Sequence, residues 1–473
     1  MRVALITERA YPYHTGGVSN WCQQLVTGMP DHTFEVVALT YASPTPSTAY
    51  ARPGNVAGLY PAPVWDPPAR TQGQLARRRV RRAAGGAAAL MCRGMFGDTR
   101  HHETMFAEAL LRLSRLAAAG AYPLAGAPLA DVLIEAWRAG HPTGRLSRGD
   151  AKAAAVLLEH AVRPLAASRP DADLYHPTGS GLAILVALAA KWLSGTPYLL
   201  TEHGIYLRER YLDYGGQLPE SVRVVMLRFF RALCRLGYAE ATTVVAGSRF
   251  NQRWALQHGA DPARIVVVPG GVAPVAFPVR PEPVDPVVVW VGRIEPLKDL
   301  HTLINGFWRV RQELPRARLR LVGPVADPGY EADCRELIQR LGLVDAVELT
   351  GTVPDPAAAY ASGQVVARTS VCEGVPYPLI EAMMCGRATV STEVGGVAEV
   401  VGDTGLLVPP GDPAAVATAL TVLLRDPARR CALGMAAARR ARGWYPVDLM
   451  LRAYRRLYAD AVAPAAASQR RAA

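Results

Sequence analysis

Two series of alternating strand and helix patterns occupy most of this chain of 473 residues. The first opens with the buried-type strand Val3–Thr7, a Gly-containing loop and a helical stretch from about Val18, and a Pro-rich connector, 274–286, separates it from the second. Such alternation is typical of doubly wound parallel sheets, which bind ligands beyond the carboxyl ends of their strands. The chain also exceeds the roughly 250–300 residues that one core supports. The pattern therefore predicts an α/β fold with two Rossmann-like domains that face each other across a cleft.

The strand patterns and the segments between them set the expected domain boundaries. The predicted strands are Val3–Thr7, Phe34–Leu39, Asp173–His176, Pro197–Thr201, Thr242–Ala246 and Arg264–Val268, then Val287–Val291, Arg318–Val322, Val347–Thr350, Gln364–Arg368 and Ala388–Ser391. Residues 42–68, rich in Pro, Ser and Gly, are expected to form a loop. An Ala-rich helical stretch at about 70–165 follows as an insertion. We expect one domain at 1–273, a second at 285–443, and a helix at 444–462 that packs back on the first.

Composition limits the compartment and the partners. The longest apolar stretch, Gly181–Ala190, is shorter than the about 20 residues that a membrane span needs, and no secretory signal precedes the first strand. The seven Cys are scattered without a CxxC pair, which fits a reducing cytosol. Arginine supplies almost all of the formal charge of +12. That bias reflects either the nucleotide composition of the genome or attraction to anionic substrates and membranes.

The densest basic cluster, Arg77–Arg82, lacks interleaved aromatic residues. This argues against a nucleic acid partner and favours contact with acidic lipid. We therefore expect a cytoplasmic protein with peripheral contact to an anionic inner membrane face.

Two acidic residues flank a turn at the start of a helix. Glu373 lies in a loop, and Glu381 lies eight residues later, within the first turn of a helix that begins around Pro378. Backbone N–H groups and the positive end of the helix dipole between them suit a phosphate, with one carboxylate for sugar hydroxyls and one for ribose. The alternative is a surface loop whose Glu only complements the dipole.

A pair of cations follows the first strand of the second series. Arg293 comes directly after Gly292, and Lys298, the only Lys after Lys191, lies five residues later. A guanidinium grips two phosphate oxygens at once, whereas an ammonium acts as a point charge. Together they are predicted to neutralise a diphosphate leaving group. The alternative is a solvated Lys at a helix start capped by Asp299.

The first series offers two further polar segments. Gly16 and Gly17 open a helix after the first strand, so a phosphate or sugar can approach the backbone there. The segment Thr201–Arg210 places a dense polar set at a strand's carboxyl end, where His203 can hydrogen-bond a sugar or serve a structural role. No GxGxxG follows the first strand and no Walker loop occurs, which argues against a dehydrogenase or an NTPase. Asp171-Ala172-Asp173 enters a strand from its amino end, so no metal site is expected.

Four segments are similar to the retaining GT-B glycosyltransferases of family 4: GGVSNW (16–21), GRIEPLKD (292–299), EGVPYPLIEA (373–382) and TGLLVPPGD (404–412). More narrowly, TERAYPYHTGGVSNW (7–21) and TEHGIYLRER (201–210) resemble the PelF-type transferases of exopolysaccharide synthesis, which also carry a long helical insertion in the N-terminal domain. The resemblance covers nearly the whole chain and is weakest at about 42–170.

This resemblance implies a role for each matching residue. The implied catalytic residues are Glu373, His203, Arg293 and Lys298. The implied donor-binding residues are Gly16, Gly17, Arg293, Lys298, Glu373, Gly374, Val375, Tyr377, Leu379, Ile380 and Glu381, with the amides of Val375, Tyr377, Leu379 and Ile380 near sugar and phosphates. Glu202, Tyr206, Arg208 and Arg210 would lie on the acceptor side. Where many members have Asn-Gly, this chain has Gly270-Gly271, and Gly270 is expected to take the left-handed turn.

The implied activity is a metal-independent, retaining hexosyl transfer that uses no cofactor. The donor would be a nucleotide-diphosphate sugar, such as UDP-glucose, bound by 285–443. The acceptor would be a glycan or a lipid-linked molecule on the side of 1–273, within exopolysaccharide or glycoconjugate synthesis. Glu373 at the sugar and Glu381 at the ribose cannot flank one glycosidic bond, as hydrolysis requires. The alternatives are an inactive scaffold of a polysaccharide synthase complex and a GT-B epimerase or phosphorylase.

Overall fold

The computed structural model describes residues 1–41, 43, 45–66, 74–124, 126–140, 144–214 and 218–472, with side chains except at 74–78, 213 and 464–472. The chain divides into two units. Unit 1 comprises 1–246, 252–267 and the residues from 454 on, and unit 2 comprises 247–251 and 268–453.

Unit 1 is built on parallel strands. They are β1 (Arg2–Glu8), β2 (Thr33–Thr40), β3 (Val56–Pro63), β4 (Leu174–Pro177), β5 (Leu199–Glu202), β6 (Thr243–Ala246) and β7 (Ile265–Val267). They pair in the orders β3-β2-β1-β4 and β5-β6-β7, and a bridge between Tyr175 and Tyr198 links the two sets. The order reverses between β1 and β4, which makes that position the switch point where sheets of this kind bind ligands.

One apolar core joins this sheet to its helices. They are α1 (Gly17–Thr27), α2 (Gln74–Phe96), α3 (Arg100–Ala118), α4 (Leu129–Gly140), α5 (Arg148–Val162), α6 (Ala183–Ser194), α7 (Tyr206–Asp213), α8 (Glu220–Glu240) and α9 (Arg249–Gln257). Phe106, Leu110 and Leu113 of α3 follow helical spacing and are buried in this core. The expectation that 42–68 is only a loop was wrong, because β3 lies within it.

Unit 2 repeats the same topology. Its strands are β8 (Val287–Val291), β9 (Arg318–Val322), β10 (Val347–Gly351), β11 (Val365–Arg368), β12 (Ala388–Thr392) and β13 (Leu406–Val408), all parallel, in the order β10-β9-β8-β11-β12-β13. The helices that follow are α10 (Leu300–Glu313), α11 (Pro328–Arg340), α12 (Pro356–Ala361), α13 (Tyr377–Met384), α14 (Val397–Val401), α15 (Pro413–Arg425), α16 (Pro427–Trp444) and α17 (Val447–Ala472). Its switch point lies between β8 and β11.

The last helix, α17, belongs to both units. Its residues up to 453 group with unit 2, and those from Tyr454 on group with unit 1, where Tyr454 and Tyr458 are buried. Within the described ranges, no helix combines the length and apolar character that crossing a membrane requires. The seven Cys are free thiols, and six of them are buried.

Candidate active site

Charged side chains follow both strands at the switch point of unit 2. Arg293 comes two residues after β8, Arg368 is the last residue of β11, and the loop after β11 leads to Glu373. The carboxyl ends of neighbouring parallel strands share one sheet edge, so these side chains converge. We call the following residues the Glu373 cluster: Arg293, Glu295, Lys298, Arg368, Ser370 and Glu373.

The two oxygens of Glu373 have different surroundings. Oε1 accepts hydrogen bonds from Arg368 Nε (3.0 Å), Ser370 Oγ (2.6 Å) and Lys298 Nζ (3.2 Å). Oε2 accepts none from the residues that the structure describes. Burial would raise the pKa of Glu373, but the charges of Arg368 and Lys298 and the Ser370 hydrogen bond outweigh it and lower the pKa to about 2. The carboxylate is therefore ionised at neutral pH and has one oxygen for a hydroxyl donor.

The backbone around Lys298 is tied to the loop after β11. Thr369 Oγ1 donates to the carbonyls of Lys298 (3.2 Å) and Asp299 (3.0 Å), and the Val371 amide donates to the Leu297 carbonyl (3.0 Å). Asp299 has a φ of +45° and caps α10, a conformation that Asp tolerates better than most residues. The Lys298 side chain is only 14% exposed and points at Glu373, so it is not the solvated Lys of the alternative interpretation.

Arg293 joins the Glu373 cluster through a residue that the sequence did not single out. Its Nη2 lies 3.1 Å from Glu295 Oε1, which also lies 3.8 Å from Lys298 Nζ. The Arg293 side chain is 54% exposed. The cluster therefore holds three cations against two carboxylates, a net positive charge at the sheet edge where an anion can bind.

Sequence reasoning missed Arg368, Ser370 and Glu295. A signal for Arg368 was present, because a charged residue ends the apolar strand β11 five positions before Glu373. A buried Arg needs a carboxylate partner, and Glu373 is the near one in sequence.

Glu381 lies in the second turn of α13 and not in the first. It is the fifth residue of that helix, which begins at Tyr377. The Tyr360 hydroxyl donates to Glu381 Oε2 at 2.7 Å. Burial raises the pKa of Glu381.

The backbone amides at the start of α13 are mostly engaged within the chain. The Tyr377 amide donates to the Val375 carbonyl, and the amides of Leu379 and Ile380 donate to the Pro376 carbonyl. Among the described residues the Val375 amide has no such acceptor. Of the four amides expected near a ligand, Val375 is the one whose N–H is available, and it lies beside Gly374 in the loop after Glu373.

Gly270 lacks the left-handed φ that we expected. The structure gives another reason for glycine there, because an added Cβ would lie 2.2 Å from the Tyr377 hydroxyl. The expectation of a left-handed turn was therefore wrong, and glycine admits the Tyr377 ring.

In unit 1, His203 lies beside the helix that Gly16 and Gly17 open. Gly16 precedes α1 and Gly17 is its first residue, and Trp21 of the same helix contacts the His203 ring edge-to-face at a centroid distance of 4.4 Å. Burial lowers the pKa of His203 to about 3. At neutral pH its imidazole is therefore uncharged.

The residues assigned to the acceptor side do not form one surface. Glu202 is 1% exposed and accepts hydrogen bonds from Ser180 Oγ (3.0 Å) and the Tyr238 hydroxyl (2.7 Å), and burial raises its pKa to about 7. Its assignment to the acceptor side is not supported, because its carboxylate is held in the core. The Tyr206 hydroxyl donates to Glu8 Oε1 (2.8 Å), and the Arg210 guanidinium lies over the Tyr206 ring. Arg208 lies on α7.

A buried polar network holds the ends of β4 and β5. His176 Nδ1 lies 2.6 Å from the Tyr458 hydroxyl and Nε2 lies 2.7 Å from Thr201 Oγ1, which is 2.9 Å from the Tyr454 hydroxyl. Burial lowers the pKa of His176 to about 3. The second half of α17 therefore fixes the strand that delivers His203.

Lowering the pH from 7 to 5 is expected to cost unit 1 about 2 kcal/mol through His176. The unfolded imidazole takes up a proton below its ordinary pKa of 6.5, whereas the folded one stays neutral down to about pH 3. This contribution to stability is therefore complete above pH 6.5 and is lost as the pH falls towards 3. We compare the unfolding free energies at pH 7 and pH 5, measured with urea. Between these pH values His176→Gln should lose about 2 kcal/mol less stability than the wild type does. An equal loss in both proteins would contradict the assignment.

Asp171 and Asp173 precede β4 at its amino end, as expected. Asp173 Oδ2 accepts from the Arg2 amide at 2.8 Å, and Asp171 pairs with the Arg2 guanidinium. In the described ranges, no group of three or more His, Cys, Asp or Glu residues is arranged to hold a metal ion.

Comparison with known proteins gives two family matches. Residues 1–263 match a domain of unknown function, DUF3492, and residues 285–426 match the glycosyl transferases group 1. D-inositol 3-phosphate glycosyltransferase of Kineococcus radiotolerans is 37% identical over 248 residues, 45% of this chain and 56% of that protein. The chain spans about half the length of the first such relatives. 2-deoxystreptamine N-acetyl-D-glucosaminyltransferase of Streptomyces fradiae is 30% identical over 334 residues, 66% of this chain and 76% of that protein.

Solved structures resemble the whole chain. Sucrose-phosphate synthase of Thermosynechococcus elongatus matches with a TM-score of 0.64 and 19% identity, covering 97% of this chain and 99% of the other. HepE of Anabaena, solved in complex with UDP, matches with a TM-score of 0.61 and 16% identity over 97% of this chain and 100% of the other. These matches confirm the predicted GT-B fold. Residues 285–426 match the group 1 glycosyl transferases, and the Streptomyces fradiae relative is 30% identical and aligned over three quarters of its length. The chain therefore belongs to the group 1 glycosyl transferases.

Proposed function

We propose that this protein transfers a hexose from a nucleoside diphosphate sugar, with UDP as the nucleotide, to a glycan or lipid-linked acceptor, with retention at the anomeric carbon. The observation that carries the proposal is the Glu373 cluster. Its ionised carboxylate keeps Oε2 for a sugar hydroxyl, while Lys298 lies 3.2 Å from the other oxygen. HepE, which shares the fold, has been solved with UDP and with UDP-glucose.

The chemistry follows from where charge develops. As the glycosidic bond to the diphosphate breaks, negative charge grows on the leaving oxygens, and Lys298 and Arg293 stabilise it. A leaving-group oxygen takes the proton of the acceptor hydroxyl, which attacks the same face of the sugar. In this proposal the two cations do the work that a metal ion does elsewhere, and the reaction needs no cofactor. Glu381 binds ribose and the Val375 amide approaches the sugar or phosphates.

The biological setting is also a proposal. We place the protein in the cytoplasm, peripheral to the inner membrane face, and in PelF-type exopolysaccharide or glycoconjugate synthesis. Its support is the similarity of TEHGIYLRER and of the opening segment to that group.

Lys298→Met is expected to weaken UDP binding roughly 10- to 100-fold, because it removes a charge-assisted hydrogen bond to phosphate. Isothermal titration calorimetry measures the affinity directly. Lys152→Met is the matched control, since Lys152 is exposed on α5 in unit 1. An unchanged affinity in Lys298→Met would remove Lys298 from the phosphate site.

Turnover with radiolabelled UDP-sugars tests the reaction itself. Transfer to an acceptor with the donor's anomeric configuration, read by proton NMR, supports the proposal. UDP binding without turnover would favour the scaffold, and release of an epimerised sugar nucleotide would favour the epimerase.

A further inference from the structure

Unit 1 has a surface groove that, apart from Arg208, is lined by residues not discussed so far. It lies between α7, α8 and α9 and has a volume of about 480 Å³, within the range of small-molecule sites. Its floor is apolar and is formed by Leu207, Val224, Leu227 and Trp254. We call this the α8 groove. Val224 and Leu227 are half-buried, unlike Val222, Val225 and Phe229 of the same helix, which are in the core.

The rim of the α8 groove is cationic. Arg208 of α7 and Arg228 and Arg231 of α8 line it, and none of the described residues that line it is acidic. Asp98 pairs with both Arg228 (3.5 Å) and Arg231 (2.6 Å), but its side chain is 61% exposed. Two guanidinium groups therefore share one carboxylate, and the groove keeps a net positive charge beside apolar side chains.

We propose that the α8 groove binds the hydrocarbon chain and the phosphate of a lipid-linked acceptor, an inference that rests on the transfer reaction proposed above. The apolar floor removes the chain from water, and the arginines hold the phosphate by charge-assisted hydrogen bonds. A flat bilayer surface meets convex protein surfaces, whereas a concave groove accepts a single chain. The occupant is therefore one lipid molecule.

The groove is lined in part by the first turn of α7, the helix that follows the loop carrying His203. β5 ends at Glu202, and α7, which supplies Leu207 and Arg208 to the groove, begins at Tyr206. Arg208 at the rim is therefore five residues along the chain from His203, the histidine implied to face the reacting sugar. This narrows the acceptor class from glycans in general to sugars or alcohols attached to a lipid phosphate.

The test uses dodecyl phosphate below its critical micelle concentration, titrated into the full chain by calorimetry. We expect binding that is at least about tenfold weaker in the double variant Arg228→Gln, Arg231→Gln, because each guanidinium contact to phosphate is charge-assisted. Leu227→Asp should weaken binding by a similar factor. Arg309→Gln, on the exposed face of α10, is the matched control. Because Arg228 and Arg231 are partly exposed, their replacement leaves the fold intact, and thermal unfolding checks this.

Further probes separate the sources of affinity. A neutral dodecyl polyoxyethylene ether should bind at least about tenfold more weakly than dodecyl phosphate, and inorganic phosphate should show no measurable binding. Equal affinity of the double variant and wild type for dodecyl phosphate would overturn the proposal. So would binding to phosphatidylglycerol vesicles without binding of the monomeric probe, which would indicate a membrane surface.

UDP titrations distinguish this inference from the transfer reaction. All groove variants should bind UDP as the wild type does. If the wild type binds UDP but not dodecyl phosphate, the proposal for the α8 groove is wrong and the transfer reaction is unaffected. If the wild type binds dodecyl phosphate but not UDP, the proposed transfer reaction is wrong and the α8 groove remains a lipid-binding site.

Discussion

Replacing Glu373 by Gln is expected to reduce sugar transfer roughly 10³-fold, because the charge on Oε2 is lost where the transition state needs it. The same change leaves Arg368, which is 4% exposed, without its carboxylate. We expect a stability cost of about 3 kcal/mol from that unpaired charge. Initial rates with a saturating donor measure the first effect, and thermal unfolding measures the second. The burial of Arg368 therefore adds a loss of stability to the loss of activity.

Ser370→Ala is the matched control for that variant. It removes one donor to Oε1 and leaves the charge of Glu373 and the surroundings of Oε2. We expect a cost of about 1 kcal/mol and transfer within roughly threefold of wild type. If Glu373→Gln and Ser370→Ala lose activity equally, the carboxylate charge has no role beyond holding the loop.

Gly395→Ala is expected to destabilise unit 2 by about 3 kcal/mol or more and to lower transfer roughly 100-fold. Gly395 has a φ of +57°, and an added Cβ would lie 1.7 Å from the Glu373 carbonyl oxygen. A backbone atom cannot rotate away, so the loop that carries Glu373 must shift. Denaturant unfolding and initial rates measure the two effects.

Gly411→Ala separates backbone strain from this collision. Gly411 has a φ of +70°, but nothing lies within 4 Å of its added Cβ. It should cost only the left-handed strain of about 1 kcal/mol. Similar losses in the two variants would show that the approach of Gly395 to Glu373 does not constrain the loop.

The sheet topology was largely predictable. Two strands, β3 and β13, were missed, and both lie at a sheet edge. Apolar runs of four to seven residues between turn signals predicted the buried strands of unit 1 and unit 2. β3 reads VAGLYPAP, with two prolines and a glycine, which argue against a central strand. It pairs only with β2 at the sheet edge, where a proline without an N–H is tolerated.

The candidate site was predictable where chemistry depends on residue type, and not where it depends on strand order. Lys298 and Glu373 stood out by their type and their neighbours in the chain. The bond between them joins positions 75 residues apart and exists because β8 and β11 are adjacent in the sheet. Glu295 was missed although its partners, Arg293 and Lys298, lie within three residues of it in the chain. Glu202 looked accessible in the sequence, yet Ser180 and Tyr238 hold it in the core.

The hydrogen bond between His176 and Tyr458 spans 282 positions of the chain. During synthesis, β4 and β5 leave the ribosome long before Tyr454 and Tyr458 do. Until those two tyrosines are made, the nascent first unit presents His176, Thr201 and Trp21 to water or to chaperones. We therefore expect the core of unit 1 to close only after unit 2 has been synthesised, when the last helix docks.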